Sequence, residues 1–434
     1  MSRDPISLAL SMLTRAAGSP WLDRLGLRRM AETAAFQGTR TGFQALGAAN
    51  RRFQTVRAWL PRQLLPARQP GPLFDLTLDQ DQQLIVDSLQ RLARDTIRPA
   101  AAAAEATGEP GESILRSAAD IGLSLYGIPE SFGGVAEHRS PVTSVLIAEQ
   151  LAWGDMGLAL AMLAPFSVAQ AITRWGTGDQ QSRYLPAFAE PQPPQASIAM
   201  DENSALFDPW HLTCKARRCD GGFRLHGTKS GVVMGQDSEL MLVAADLEGR
   251  PRLFIVDHPP SQMTCRPAPA MGLRAAGLTD LQFDQVKLPQ ESLLGDHDFD
   301  YQQFLDYGTL IRCALAVGTC QAVLDYVIPY CNERQAFGEP ISHRQSVAFM
   351  ISNMAIETDS MRLLTWRAAS RAENGQAFHK EAHLARMLCA EKAMETGTNG
   401  VQLLGGHGFV KEHPVERWYR DLRSVATQVG GIHA

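Results

Sequence analysis

The segment EPQPPQ, residues 190–195, separates two kinds of pattern in this chain. Three prolines in four positions remove backbone donors and fix φ, so neither a helix nor a central strand can cross it. Before it, apolar residues recur at helical spacing. TLDQDQQLIVDSLQRLARDTIRPAA has a Thr–Asp start, and Pro99 is expected to close that helix. ILRSAADIGLSLYGIPESFGG reads as a helix running into a Gly/Pro-rich loop, and two further apolar helical stretches run from about Val142 to Trp175. After it the period changes. HLTCKARRCDGGFRLHGTKSGVVM alternates around Asp220-Gly221-Gly222, ELMLVAADLEGRPRLFIVDH is two apolar runs around Gly249-Arg250-Pro251, and LTDLQFDQVKLP is a strand ended by Pro289. From about Phe304 the helical period returns in long pieces with wide apolar stripes, the pattern of a bundle.

The fold expected from this order is α+β. An N-terminal helical domain occupies residues 76–195, a central antiparallel β domain 196–300, and a C-terminal bundle of about four helices 301–434. Residues 1–75 form a basic amphipathic extension that ends in the Pro-rich linker PRQLLPARQPGPL. Eleven arginines against Asp4, Asp23 and Glu32 leave residues 1–70 at +8, although the whole chain carries −5. Leu, Phe, Trp and Met interleave with these cations, so the segment suits helices docked on an acidic body. Peripheral contact of residues 1–60 with an anionic membrane is the second reading. No nucleic-acid recognition motif accompanies the charge.

Composition narrows the chemistry. The seven cysteines are odd in number and form no CxxC pair or His-flanked cluster, so free thiols are expected and no metal site. No run of eighteen apolar residues predicts a membrane span. The N-terminal stretch SLALSMLTRAAG is interrupted by Thr14 and Arg15 and does not read as a signal peptide, so a cytoplasmic location is the expectation.

Five phrases carry more. They are IGLSLYGIPESFGG (121–134), WGTGDQQSRYLPAFA (175–189), MGLRAAGLTDLQFDQVKLP (271–289), NERQAFGEPISHRQSVAFMISNMA (332–355) and VQLLGGHGFVKEHPVERWYRD (401–421). On the residues alone, Gly405-Gly406 is a helix C-cap or a close approach of backbone to a ligand. Arg334 and Phe337 at i,i+3 place a cation and an aromatic on one helix face. In this order, however, the five phrases resemble the acyl-CoA dehydrogenase family over residues 77–431. The resemblance implies an oxidoreductase of fatty acid metabolism that takes an acyl-CoA substrate and FAD, as a homotetramer or hetero-oligomer. Carried over residue by residue, it makes Arg334, Phe337, Gln402, Gly405 and Gly406 the candidates for the FAD adenosine and pyrophosphate. It also makes Asp306, in the pair Leu305-Asp306, the candidate for contact with the CoA part.

The chain departs from the family where the chemistry is done. α,β-Dehydrogenation needs a desolvated carboxylate to remove the α-proton while a hydride leaves the β-carbon. In most members a Glu stands nine residues after the Arg of the Arg-Asp pair; here that position is Val429. In a minority it stands on the first bundle helix; here that position is Gly308, followed by Thr309. The family's flavin-facing Thr-Glu-Pro-Gly loop reads MDENSALFD (200–208), and its Trp-Ile-Thr aligns with Gly231-Val232-Val233. Asp201, Glu202 and Asp306 are the acids left near the expected cleft. Three readings follow: a divergent acyl-CoA dehydrogenase with a relocated base, a degenerate subunit that lends the FAD-adenine face to a homologous dehydrogenase, and a flavin monooxygenase of the same fold.

Overall fold

The computed structural model describes residues 77–429 except 136–139, 205–206, 259 and 296–298; the basic extension lies outside the described residues. The first helix, α1 (Gln80–Leu92), starts at a capping box in which Asp79 accepts from Gln82 N–H and Gln82 returns the bond. Pro99 does not end it. The turn Ala93–Ile97 widens to π geometry, and α2 (Arg98–Thr107) restarts with the proline in its first turn, where a missing N–H costs nothing. After α3 (Glu112–Asp120), helices α4 (Pro141–Gly154) and α5 (Met156–Trp175) are apolar nearly all round and buried. Ser140 caps α4, and Asp155 caps α5 through Leu158 N–H at 3.0 Å.

Helix α6 (Gly178–Phe188) accounts for one of the sequence phrases. Thr177 caps it, and Gln180 returns that bond while donating to the carbonyls of Glu291 and Leu293 at 2.8 and 2.7 Å. Gln180 also accepts from Gly295 N–H at 3.0 Å, so one side chain joins the helical domain to the exit of the sheet.

Seven strands form the central sheet: β1 (Ala196–Ala199), β2 (Lys215–Cys219), β3 (Gly222–Val233), β4 (Leu240–Leu247), β5 (Arg250–Asp257), β6 (Met263–Pro267) and β7 (Leu278–Pro289). The β2–β3 and β4–β5 hairpins turn where the glycines predicted. Most pairings are antiparallel, but β4 takes both β1 and β2 in parallel, so the sheet is mixed. Bulges between Leu225 and Gly227 and between Lys229 and Val232 bend β3 as it crosses β7.

Among the described residues four α-helices follow the sheet: α7 (Tyr301–Glu333), α8 (Gln345–Glu373), α9 (His379–Leu404) and α10 (Val415–Arg423), with a two-stranded turn, β8 (Gln335–Ala336) and β9 (Glu339–Pro340), between α7 and α8. By length and mean hydropathy α5 and α7 could cross a membrane; here both are mostly buried inside the protein. All seven cysteines are free thiols.

Two distant sequence phrases meet at α10. Arg420 donates to Met271 O at 2.8 Å, and Asp421 accepts from Leu273 N–H at 2.6 Å. Gly272 lies between them, where a Cβ would stand 2.3 Å from Arg420 O. The Arg-Asp pair is thus a clamp that holds the C-terminal segment against the sheet and α2, where Arg420 also meets Glu105 at 2.6 Å.

Candidate functional site

A cavity of about 260 Å³ lies between α4, α5 and α7, the ends of β1 and β3, and the C-terminal turn. Its helical walls are mostly apolar, with Leu160, Leu163 and Leu310 among them, and polar side chains such as Ser144 and Gln170 stand along α4 and α5. Toward the sheet it is bounded by Met200, Asp201, Ser230 and Gly231, and toward the C-terminus by Gln428 and Val429.

Val429 and Gly308, the two positions at which the resembling family keeps its acid, both line this cavity. Val429 is buried in the left-handed region at φ +48°, an uncommon place for a β-branched residue. Its peptide is held from both sides. Asp201 Oδ1 accepts from Val429 N–H at 2.9 Å, and Arg386 Nη2 donates to Val429 O at 3.0 Å. Gly308 faces Arg312 one turn later on α7; a Cβ there would stand 3.2 Å from Arg312 Nη1.

The remaining acids sort themselves by partner. Glu202 accepts from Lys229 Nζ at 2.8 Å, from the N–H groups of Thr213 and Cys214 at 2.7 and 3.0 Å, and from the Thr213 hydroxyl. Burial opposes its charge, but Lys229 and these bonds outweigh burial and hold its pKa below the ordinary glutamate value. Glu202 is a structural anion. Asp306 lies outside the cavity lining; it accepts from Gln302 Nε2 at 3.1 Å, with His379 Nδ1 at 2.9 Å.

Asp201 is the carboxylate among the described residues that line the cavity. Burial raises its pKa above the aspartate value, opposed by the charge of Arg312, the Val429 N–H, Lys229 and Arg386. Arg312 was not expected from the sequence. Its guanidinium lines the cavity and donates to Thr309 Oγ1 at 3.0 Å, and burial lowers its pKa to about 10. The signal was present as a lone cation in the apolar run LIRCALAV, a residue type that core helices rarely bury without a purpose.

The candidates for the FAD adenosine side gather on another surface. Arg334 caps the C-terminus of α7, and Gln402, Gly405 and Gly406 stand at the end of α9. Tyr330 ties these helix ends together, its hydroxyl 2.8 Å from His407 Nδ1 and 3.5 Å from Leu404 O. Arg334 and Phe337 do not share a helix face. Helix α7 stops at Glu333, and Phe337 sits at φ +57° in the β8–β9 turn, 95% exposed, with the Arg344 guanidinium 5.5 Å from its ring.

These residues fit FAD. Gly405 turns at φ +58°, and neither it nor Gly406 has an atom within 4 Å of where a Cβ would be, which leaves bare backbone at the end of α9, where the Gln402 amide also stands. Separately, the acyl-side cavity reaches Gly231 on β3, at φ +61° and with no atom within 4 Å of where its Cβ would be. The departures from the family's Trp-Ile-Thr fall on this stretch, at Gly231, Val232 and Val233 on β3.

Comparison with known proteins places the architecture. Residues 79–192 match the acyl-CoA dehydrogenase N-terminal domain and residues 300–431 the acyl-CoA dehydrogenase C-terminal domain, together more than half the chain. The short/branched chain specific acyl-CoA dehydrogenase of Rattus norvegicus mitochondria is 28% identical, over 90% of this chain and 94% of its own length. The probable acyl-CoA dehydrogenase YngJ of Bacillus subtilis (strain 168) is also 28% identical, over 81% and 94%. The butyryl-CoA dehydrogenase structure from Megasphaera elsdenii superimposes with a TM-score of 0.76 at 25% identity, covering 82% of this chain and 96% of that one. With both terminal domains matched and the helix–sheet–helix order in place, the chain belongs to the acyl-CoA dehydrogenase family, whose members are FAD-binding flavoproteins.

Proposed function

We propose that this protein is an FAD-dependent oxidoreductase that introduces a Cα–Cβ double bond into an acyl-CoA thioester. The observation that carries this reading is the cavity itself, a mostly apolar chamber between α4, α5, α7 and the sheet with a half-buried carboxylate, Asp201, on its wall. Its helical walls suit an acyl chain, and Asp201, Arg312 and the peptide of Val429 form its polar end. Arg334, Phe337, Gln402, Gly405 and Gly406 would hold the adenosine side of FAD, and the open backbone at Gly231 would face its ring. The chemistry that bound FAD supplies is acceptance of the β-hydride.

The working unit is proposed to be an oligomer. Phe349, Ile356 and Leu363 stand exposed at seven-residue spacing along α8 (58%, 63% and 46%), an apolar stripe suited to a second copy or a homologous chain. A second reading, a degenerate subunit that lends its adenosine face to a homologous dehydrogenase, is favoured by the residues at the two usual acid positions, Val429 and Gly308.

The flavin spectrum of the purified full chain, with and without a panel of straight-chain acyl-CoAs, separates the two. A yellow protein whose oxidised flavin band bleaches on adding acyl-CoA supports the dehydrogenase. A colourless protein that loads flavin only when co-expressed with a homologue supports the partner subunit and overturns the first reading.

A further inference from the structure

Neither customary acid position holds a carboxylate in this cavity, and one enters it from a third element. Asp201 enters from the end of β1, and its carboxylate rests on the N–H of Val429 at 2.9 Å, the main chain of the position that bears the acid in the resembling family. Its own carbonyl accepts from Ser230 N–H at 2.9 Å, which fixes the backbone that presents the side chain. The two rival acids are committed elsewhere, Glu202 to Lys229 and Asp306 to Gln302 and His379. Arg312, on α7, lines the same cavity and acts on Asp201 with its charge.

From this arrangement we infer that Asp201 is the catalytic base that removes the α-proton of the bound thioester. This rests on the acyl-CoA reading of the cavity. In the step, the α-C–H bond breaks, its proton passes to a carboxylate oxygen of Asp201, and the electron pair moves into the thioester carbonyl as an enolate. No oxidant is needed for this half of the reaction, and it reverses by returning a proton from Asp201. The charged groups facing Asp201 are Arg312 on α7, Lys229 on β3 and Arg386 on α9; all three favour its ionised form, against burial.

Because the step is reversible, it can be read without flavin chemistry. Full-length wild type, Asp201→Asn, Asp201→Thr and the double variant Asp201→Asn/Val429→Glu are each incubated with straight-chain saturated acyl-CoAs in D2O. α-Deuterium is measured by mass spectrometry, and flavin bleaching is followed in parallel. Asp201→Asn keeps an amide oxygen where Oδ1 accepts from Val429 N–H, Asp201→Thr does not, and thermal unfolding shows whether each is folded. Wild type is expected to exchange the α-proton, and the single variants to exchange it about 10²–10⁴-fold more slowly, the usual contribution of a positioned base. The double variant, with an acid returned to position 429, is expected to recover exchange.

The wild-type exchange rate is expected to rise with pH to a plateau, with an apparent pKa above the ordinary aspartate value. Exchange by Asp201→Asn at the wild-type rate, wild-type exchange no faster than buffer, or a wild-type profile with no ionisation in the acid range each overturns the assignment. Exchange without bleaching keeps Asp201 as the base and overturns the dehydrogenase reading. Bleaching of Asp201→Asn at the wild-type rate does the reverse.

Discussion

Arg417 Nε donates to Asp155 Oδ2 at 3.0 Å in a seam where both side chains are almost wholly buried. Asp155 also caps α5, so the pair joins the last helix of the bundle to the central helix of the N-terminal domain. Coulomb attraction in such a place does little more than offset desolvation, but removing one partner strands the other charge. Arg417→Met is therefore expected to lower unfolding stability by about 3–5 kcal/mol, the range for a broken buried pair. Urea unfolding at neutral pH measures it, and Arg417→Met/Asp155→Asn should recover part of the loss. A single-variant loss within experimental error would show that the pair is solvated.

Asp421 gives the same seam a pH dependence. Burial, with the nearby charges of Asp155 and Glu105 acting in the same direction, raises its pKa to about 8 against the opposing Leu273 N–H and Arg417. The folded protein thus keeps a proton that the unfolded chain releases above about pH 3.9. The stabilisation from this group is complete below that pH, declines as pH rises toward 8, and is lost beyond it. The stability of wild type minus that of Asp421→Asn is accordingly expected to fall between pH 5 and pH 8. Urea midpoints across that interval test it; a difference that grows with pH contradicts the assignment.

The helix–sheet–helix order was legible because prolines and glycines mark each change of period locally. Pro99 was misleading because the remedy for its missing N–H, the π turn at Ala93–Ile97, uses residues with no special signature. The parallel pairing of β4 with β1 and β2 was hidden for a different reason: strand partners are chosen by the tertiary fold. The spacing of Arg334 and Phe337 suggested one helix face, and only the end of α7 at Glu333 shows them on different elements. In the site, the absence of an acid at Val429 and Gly308 could be read directly. What stands there instead could not, since Asp201 and Val429 meet across 228 residues of sequence.

Gly318 is a packing prediction that the sequence alone would not make. It lies within α7, where a Cβ would stand 2.0 Å from Glu149 O and 3.2 Å from the Ala152 Cβ on α4. The two helix backbones approach closely at this point, and neither the Glu149 carbonyl nor the Ala152 Cβ is the end of a flexible side chain that could move aside. Gly318→Ala ordinarily gains helix propensity, yet here overpacking should dominate and cost about 1–3 kcal/mol or more. A lower thermal midpoint is the expected result, and an unchanged or raised one would mean that α4 and α7 separate easily.

The adenosine surface offers a test independent of the base. Arg334 and Phe337 are exposed, Phe337 at 95%, so truncating either removes no core contact and should leave stability within about 0.5 kcal/mol of wild type. If they hold FAD, the loss appears in retention. A hydrogen bond to a charged group contributes about 1.5–3 kcal/mol, so Arg334→Ala should weaken FAD binding by about 10–100-fold. Phe337→Ala should have a smaller effect, because an aromatic contact adds only about 0.5–1.5 kcal/mol beyond its buried area. Gly405→Val should be the most damaging, since the open space above that backbone closes and φ +58° disfavours a β-branched residue. Fluorescence titration of each apoprotein with FAD measures all three. Equal affinity in all of them would move the adenosine site away from the end of α7, whatever the acyl cavity does.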